Sequence, residues 1–208
     1  MQKKALFIHG LHSDSESTTG GIVAEILKEY GYETIHPTFN LLDAEQTMAQ
    51  IKEIYFNEMD RRGIIAAHSL GGFYGFAFPC EAIKILINPC LKPEIEVPRL
   101  MYEGEIFPEN LKEEWPALRK EEYDHYFDIE AAAVTHGIFA KNDELFSYAD
   151  YVRNELHFHH VHMIEGGHKP TKEQLAPAID TVIKTPVQFS PPMSLTWEDA
   201  YALDNEQQ

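Results

Sequence analysis

Three side chains in this sequence could act together on a carbonyl: a serine set among small residues, a carboxylate after one apolar run, and a histidine after another. The serine is Ser69, within Gly63-Ile64-Ile65-Ala66-Ala67-His68-Ser69-Leu70-Gly71-Gly72. A short apolar run drives into it and an amphipathic stretch follows. That is the form of a strand turning sharply into a helix, with the hydroxyl exposed at the tip of the turn. The backbone is strained there, and a bulky side chain two positions away on either side would collide with its neighbours. Those positions are Ala67 and Gly71, so the pattern is A-x-S-x-G, with Ala where Gly is usual. A neutral serine needs a base to take its proton, a carboxylate to orient that base, and donors to hold an oxyanion. Alone, the ten residues also fit a glycine-rich turn with a chance serine, so the partners decide between the readings.

Two later segments supply them, in the order serine, acid, histidine. Val134 to Ala140 reads as a buried strand running into Lys141-Asn142-Asp143-Glu144, and Val161 to Ile164 reads as a strand followed by Glu165-Gly166-Gly167-His168. The expected roles are Ser69 as nucleophile, His168 as general base and acid, and Asp143 as orienting carboxylate. Glu144 is the open alternative to Asp143, which comes first after the strand. Near the start, the apolar run Ala5 to Ile8 meets His9-Gly10-Leu11-His12. A glycine there lets backbone approach a reacting carbonyl, so the backbone N–H groups of Leu11 and Leu70 are the expected oxyanion donors. His9, Gly10, His68 and Gly71 read as supporting residues, with His9 bracing its loop by a hydrogen bond.

These residues need strands that end side by side. Apolar runs alternate with helical periodicity, which predicts an α/β fold with a mostly parallel sheet of about six strands and helices on both faces. Strands are expected near 4–8, 33–36, 64–67, 83–88, 134–140 and 161–164. Helices are expected near 20–30, 44–62, 71–78, 145–156 and 171–184. Each candidate residue then falls at the carboxyl end of a strand, where open α/β sheets place their ligands. Between the fourth and fifth strands, residues 91–133 form a cap-like insert holding Met101, Tyr102, Phe107, Trp115, Tyr123, Tyr126 and Phe127. These aromatics either line an acyl pocket or staple the insert to the sheet. Its prolines at 93, 98, 108 and 116 suggest loops and short helices rather than one long helix.

Four segments resemble the YqiA-type family of small bacterial α/β-hydrolases: Leu6 to Leu11, Ala67 to Tyr74, Leu86-Ile87-Asn88-Pro89-Cys90-Leu91-Lys92-Pro93, and Asn142-Asp143-Glu144 with Gly166-Gly167-His168. The Asn-Pro segment is the most family-specific. The resemblance implies an α/β-hydrolase fold and a carboxylester or thioester hydrolase with Ser69, Asp143 and His168 as its triad. It names no natural ester.

Composition bounds the partners. The 208 residues suit one domain over 1–185, with an extension over 186–208. A formal charge of −17, from 34 acids and 17 bases, argues against nucleic acid and disfavours polyanionic substrates. Neutral, short esters or thioesters suit that field better. No apolar stretch approaches the ~18 residues of a membrane span, and no signal-peptide core precedes the first strand. Cys80 and Cys90 read as buried thiols of a reducing cytoplasm rather than a disulfide scaffold. His157, His159, His160 and His162 alternate across a strand, two to each face, so no metal site is expected and no cofactor either. The extension carries Trp197 and Tyr201 and could dock on the body or contact a second subunit. From another class, a ligand- or partner-binding protein of the same fold stays open.

Overall fold

The computed structural model describes residues 3–60, 62–126, 135–156 and 160–185. Strands β1 (Lys3–Ile8), β2 (Tyr32–Ile35), β3 (Ile64–His68), β4 (Ile83–Ile87), β5 (Thr135–Ala140) and β6 (His160–Ile164) form one sheet in the order β2-β1-β3-β4-β5-β6. Every pairing is parallel. Parallel strands buried on both faces are read as unbroken apolar runs. In β1, Leu6 and Ile8 enter one core and Ala5 and Phe7 the other; β3 divides Ile65 and Ala67 from Ile64 and Ala66 in the same way.

Two helices cover one face: α1 (Thr18–Glu29) through Val23, Ile26 and Leu27, and α7 (Lys172–Lys184) through Leu175, Ile179 and Val182. Ser17 caps α1 by accepting from the Gly20 N–H, and a Thr171–Gln174 capping box starts α7. The other face carries α2 (Ala44–Glu58), α3 (Leu70–Ala77) and, from the insert, α4 (Pro93–Leu100) and α5 (Leu111–Tyr126). α6 (Ala149–Asn154) precedes β6.

Several expectations are corrected. α3 begins at Leu70, immediately after Ser69, not at Gly71. α2 ends at Glu58, short of Arg62. The helix expected over 145–156 shrinks to α6, because the Asp143 carboxylate accepts from the Leu145 and Phe146 amides and bends the chain there. α5 runs 16 residues straight through Pro116, anchored by fully buried Leu111 and Trp115. Cys90 is buried as expected, whereas Cys80 is only partly so. Residues 127–134, 157–159 and 186–208 lie outside the described residues, and with them Phe127, His157, His159 and the extension.

The chain leaves β1 for β2 on one side and returns to β3 on the other. The strand order therefore reverses between the carboxyl ends of β1 and β3, which makes a crevice of the kind that holds ligands in open α/β sheets.

Candidate active site

Ser69 follows β3 with φ 58° and ψ −124°, the left-handed side of backbone space that a β-carbon disfavours. The strain is held from three sides. The Ser69 N–H donates to Ile87 O at 3.1 Å, and its carbonyl accepts from Gly72 N and Cys90 N, both at 2.9 Å. Small neighbours are obligatory on the helix side: a Cβ at Gly71 would sit 2.2 Å from His9 O and 2.3 Å from Ile8 O. A Cβ at Gly72 would lie 2.7 Å from Pro89 Cβ. As N-cap of α3, Ser69 makes no side-chain cap bond, so its hydroxyl is not committed to its own helix. The Leu70 N–H, in the first turn of α3, belongs to the amides that a helix leaves without an internal partner.

The loop after β1 lies against this turn. A Cβ at Gly10 would be 3.0 Å from Ser69 Cβ and 3.5 Å from its Oγ. His9 is buried, and its two nitrogens are both engaged: Nε2 accepts from the Phe39 N–H at 2.9 Å, so Nδ1 carries the proton and donates to Gly10 O at 2.8 Å. Burial lowers its pKa, in keeping with a neutral ring that braces the loop.

His168 arrives on the turn after β6. Its Nδ1–H donates to both oxygens of Asp143, at 3.1 and 3.0 Å, and both side chains are almost fully enclosed. Burial would raise the Asp143 pKa, but the hydrogen bonds from His168 and from the Leu145 and Phe146 amides outweigh it and hold the carboxyl below its ordinary range. With Nδ1 protonated, Nε2 is the basic nitrogen of the neutral ring. Glu144, the alternative acid, meets the same residue elsewhere: its Oε2 accepts from the His168 backbone N–H at 2.9 Å. That bond also lowers the Glu144 pKa.

Gly10, Leu11, His68, Ser69 and His168 line one cavity of about 420 Å³ at the sheet crevice. That is the size of a small-molecule site, and too small for a polymer to be enclosed. Leu70, Gly71 and Asp143 are not among its lining residues. Tyr102 and His12 also line it; their rings stack 4.0 Å apart, and His12 Nε2 bonds Glu105 at 2.9 Å. The insert is thereby latched to the β1 loop. Of its aromatics, Tyr102 lines the cavity, while Phe107 packs on Trp115 and Trp115 on Phe73 of α3.

Two sets of contacts go beyond the sequence reading, which had His68 as a supporting residue, Asn88 within the Asn-Pro segment, and His160 and His162 on one strand face. Asn88 and His68 both donate to the His168 carbonyl, at 3.1 and 2.8 Å. His68 is held to a pKa of about 4, by burial first and by the nearby His168 second. An asparagine immediately after a strand and before a proline was the available signal for Asn88. Away from the cavity, His136 of β5 stacks on His160 at 4.3 Å and shares a 3.2 Å hydrogen bond with His162. The cross-strand register, His136 opposite His160, brings them together. Stacked rings cannot aim their lone pairs at a common point, and among the described residues no His, Cys, Asp or Glu cluster could hold a metal ion.

No protein-family model matches this sequence, and no curated protein matches it either. Solved structures do. Est1E from Butyrivibrio proteoclasticus superposes with a TM-score of 0.61 at 14% identity, covering 100% of this chain and 90% of its own. The fluorophosphonate-binding serine hydrolase F of Staphylococcus aureus gives 0.60 at 18% identity over 87% and 82%. Mouse alpha/beta hydrolase domain-containing protein 10 gives 0.58 at 16% identity over 88% and 90%. At such identities the likeness speaks for architecture, and with the parallel six-stranded sheet it establishes that this chain has the α/β-hydrolase fold.

Proposed function

We propose that this protein is a serine hydrolase of small carboxylic esters or thioesters, acting through an acyl-enzyme. The observation that carries the reading is His168, paired with the enclosed Asp143 through Nδ1, on the same cavity as the strained Ser69. Ser69 Oγ attacks the carbonyl carbon while its proton passes to His168 Nε2. The oxygen of the tetrahedral intermediate is received by the N–H groups of Leu11 and Leu70. His168 then gives the proton to the leaving alcohol or thiol, and the bond to it breaks. Water enters, loses a proton to His168 and attacks the acyl carbon, and Ser69 leaves with that proton. Asp143 keeps Nδ1 protonated and stabilises the imidazolium at each transfer.

Cavity size and the charge of −17 favour short, uncharged acyl groups. The fold relatives include a thioesterase domain and a fluorophosphonate-binding serine hydrolase, which supports a hydrolase reading. The test compares wild type with Ser69→Ala for covalent labelling by a fluorophosphonate and for turnover of p-nitrophenyl esters and acyl thioesters of graded length. Labelling and turnover should both vanish in the mutant, the latter by about 10³-fold or more. Turnover that survives in Ser69→Ala overturns the assignment. A well-folded wild type that neither labels nor hydrolyses would point to a binding protein instead.

A further inference from the structure

His168 sits on a turn that has little stiffness of its own. Gly166 has φ 111° and Gly167 follows, so the residues leading into the base carry no side-chain restraint on their backbone. Proton transfer needs Nε2 placed to within about 1 Å of its working position. The restraint comes from outside the turn: Glu144 and His68 make one bond each to its backbone, and Asn88 makes two.

Asn88 is 1% exposed, and both polar atoms of its side chain are engaged. Its Nδ2 donates to His168 O at 3.1 Å and to Gly167 O at 3.2 Å. Its Oδ1 accepts from the Ala140 N–H at 2.7 Å, at the end of the strand that leads to Asp143. Its own N–H donates to Ile138 O at 2.8 Å. The backbone takes φ 42°, a conformation that asparagine tolerates better than most residues. The next two residues reach the nucleophile: Pro89 packs on Gly72, and the Cys90 N–H donates to Ser69 O. Three consecutive residues at the exit of β4 thus touch the turns that carry all three reacting groups. Aspartate there would present oxygens to two carbonyls. Alanine would remove the bonds to Gly167 O and the Ala140 amide and leave the His168 carbonyl to His68 alone.

We propose that Asn88 is a positioning residue of the reaction, holding the His168 turn in register with Ser69 and with the Asp143 strand. It touches no substrate and acts through His168, so the inference rests on the serine-hydrolase reading.

Asn88→Gly is the informative substitution, because glycine accepts the positive φ and removes only the side-chain bonds. Two quantities are read per folded molecule, with folding followed by near-ultraviolet circular dichroism. The first is kcat and KM on the best ester. The second is the downfield proton resonance of His168 Nδ1–H, assigned by its loss in His168→Gln. The expected result is a kcat lower by about tenfold to a hundredfold with KM changed by less than about threefold. The resonance should broaden or disappear at a temperature where wild type shows it. An unchanged kcat overturns the proposal, and so does an unchanged resonance. Asn88→Asp, which keeps size and the Oδ1 acceptor, is read by the same criteria if the glycine variant does not fold. Failure of both to fold assigns Asn88 to the fold alone and overturns the proposal. A wild type without hydrolase activity would sink the serine-hydrolase reading, while the resonance would still report whether Asn88 holds His168.

Discussion

Adjacent carboxylates at the end of β5 divide their attention over one histidine. Asp143 takes the ring and Glu144 the backbone amide of the same His168. The ring bond decides which tautomer the base adopts, and it lies in an enclosed setting where its strength is not diluted by water. The amide bond comes from an exposed acid and only helps hold the turn. Asp143→Asn should therefore lower kcat/KM by about 10³- to 10⁴-fold, since an amide can stabilise the wrong tautomer and cannot balance the imidazolium. Glu144→Gln keeps an oxygen to accept from His168 N–H and should cost less than about fivefold. Steady-state kinetics on both variants checks the ordering, and equal losses would contradict the division of roles. The candidates Ser69, Asp143 and His168 were readable because each is announced locally: small residues around a serine, an acid at a strand end, glycines before a histidine. What Asn88 and His68 hold was not readable, although His68 stood out beside the serine and Asn88 before a proline, because their partner is a carbonyl 80 and 100 residues further along the chain. A local pattern can single out such a side chain, but it does not name the distant backbone that the side chain grips.

Alternating apolar runs and helical faces made the parallel sheet predictable, since a strand buried on both sides has no polar face to mark. Pairings between strands did not follow from any run alone, which is why the contact of His136 with His160 and His162 was missed while the alternation within β6 was read. Element boundaries slipped where side chains compete with backbone, as Asp143 does before α6. The insert adds a lesson of its own. Its aromatics could have lined a pocket or fastened the segment, and α5 divides the roles: Trp115 is fully buried, and its Nε1–H donates at 2.9 Å to the Tyr74 hydroxyl, which donates to Leu41 O at 2.8 Å. This relay ties α5 to α3 and to the loop before α2. Trp115→Phe should keep most of the packing and lose the relay, costing about 1–2 kcal/mol of stability. Trp115→Ala should cost about 3–5 kcal/mol. Denaturant unfolding measures both. A phenylalanine variant as unstable as the alanine one would mean the hydrogen bond outweighs the ring, contrary to this account.

Five imidazoles across the molecule share one electrostatic fate. His9, His36, His68, His136 and His162 all have lowered pKa values, with burial the leading cause in each. His68 is held down to about 4 and His136 to about 3. An unfolded chain protonates its histidines near pH 6.5, whereas the fold keeps these neutral well below that. Between the two values the unfolded state binds more protons, so stability rises with pH there and is lost as pH falls from about 6.5 towards 4. Asp143 acts in a different window: its folded pKa is depressed, so its contribution is present above the ordinary carboxylate range and disappears only as pH falls through its own lower value. The interval between about pH 4.5 and 6 thus isolates the histidines. Each fully neutral histidine contributes a slope of about 1.4 kcal/mol per pH unit, and His68 and His136 together about 2.8. His136 suits the test because it lies outside the cavity and its Nε2 is buried without a hydrogen-bond partner among the described residues. Urea unfolding across that interval should give a positive slope of unfolding free energy, and His136→Leu should flatten it by about 1.4 kcal/mol per pH unit. A slope left unchanged by the substitution would mean that His136 titrates alike in both states, and that its burial in the β5–β6 stack does not hold it neutral.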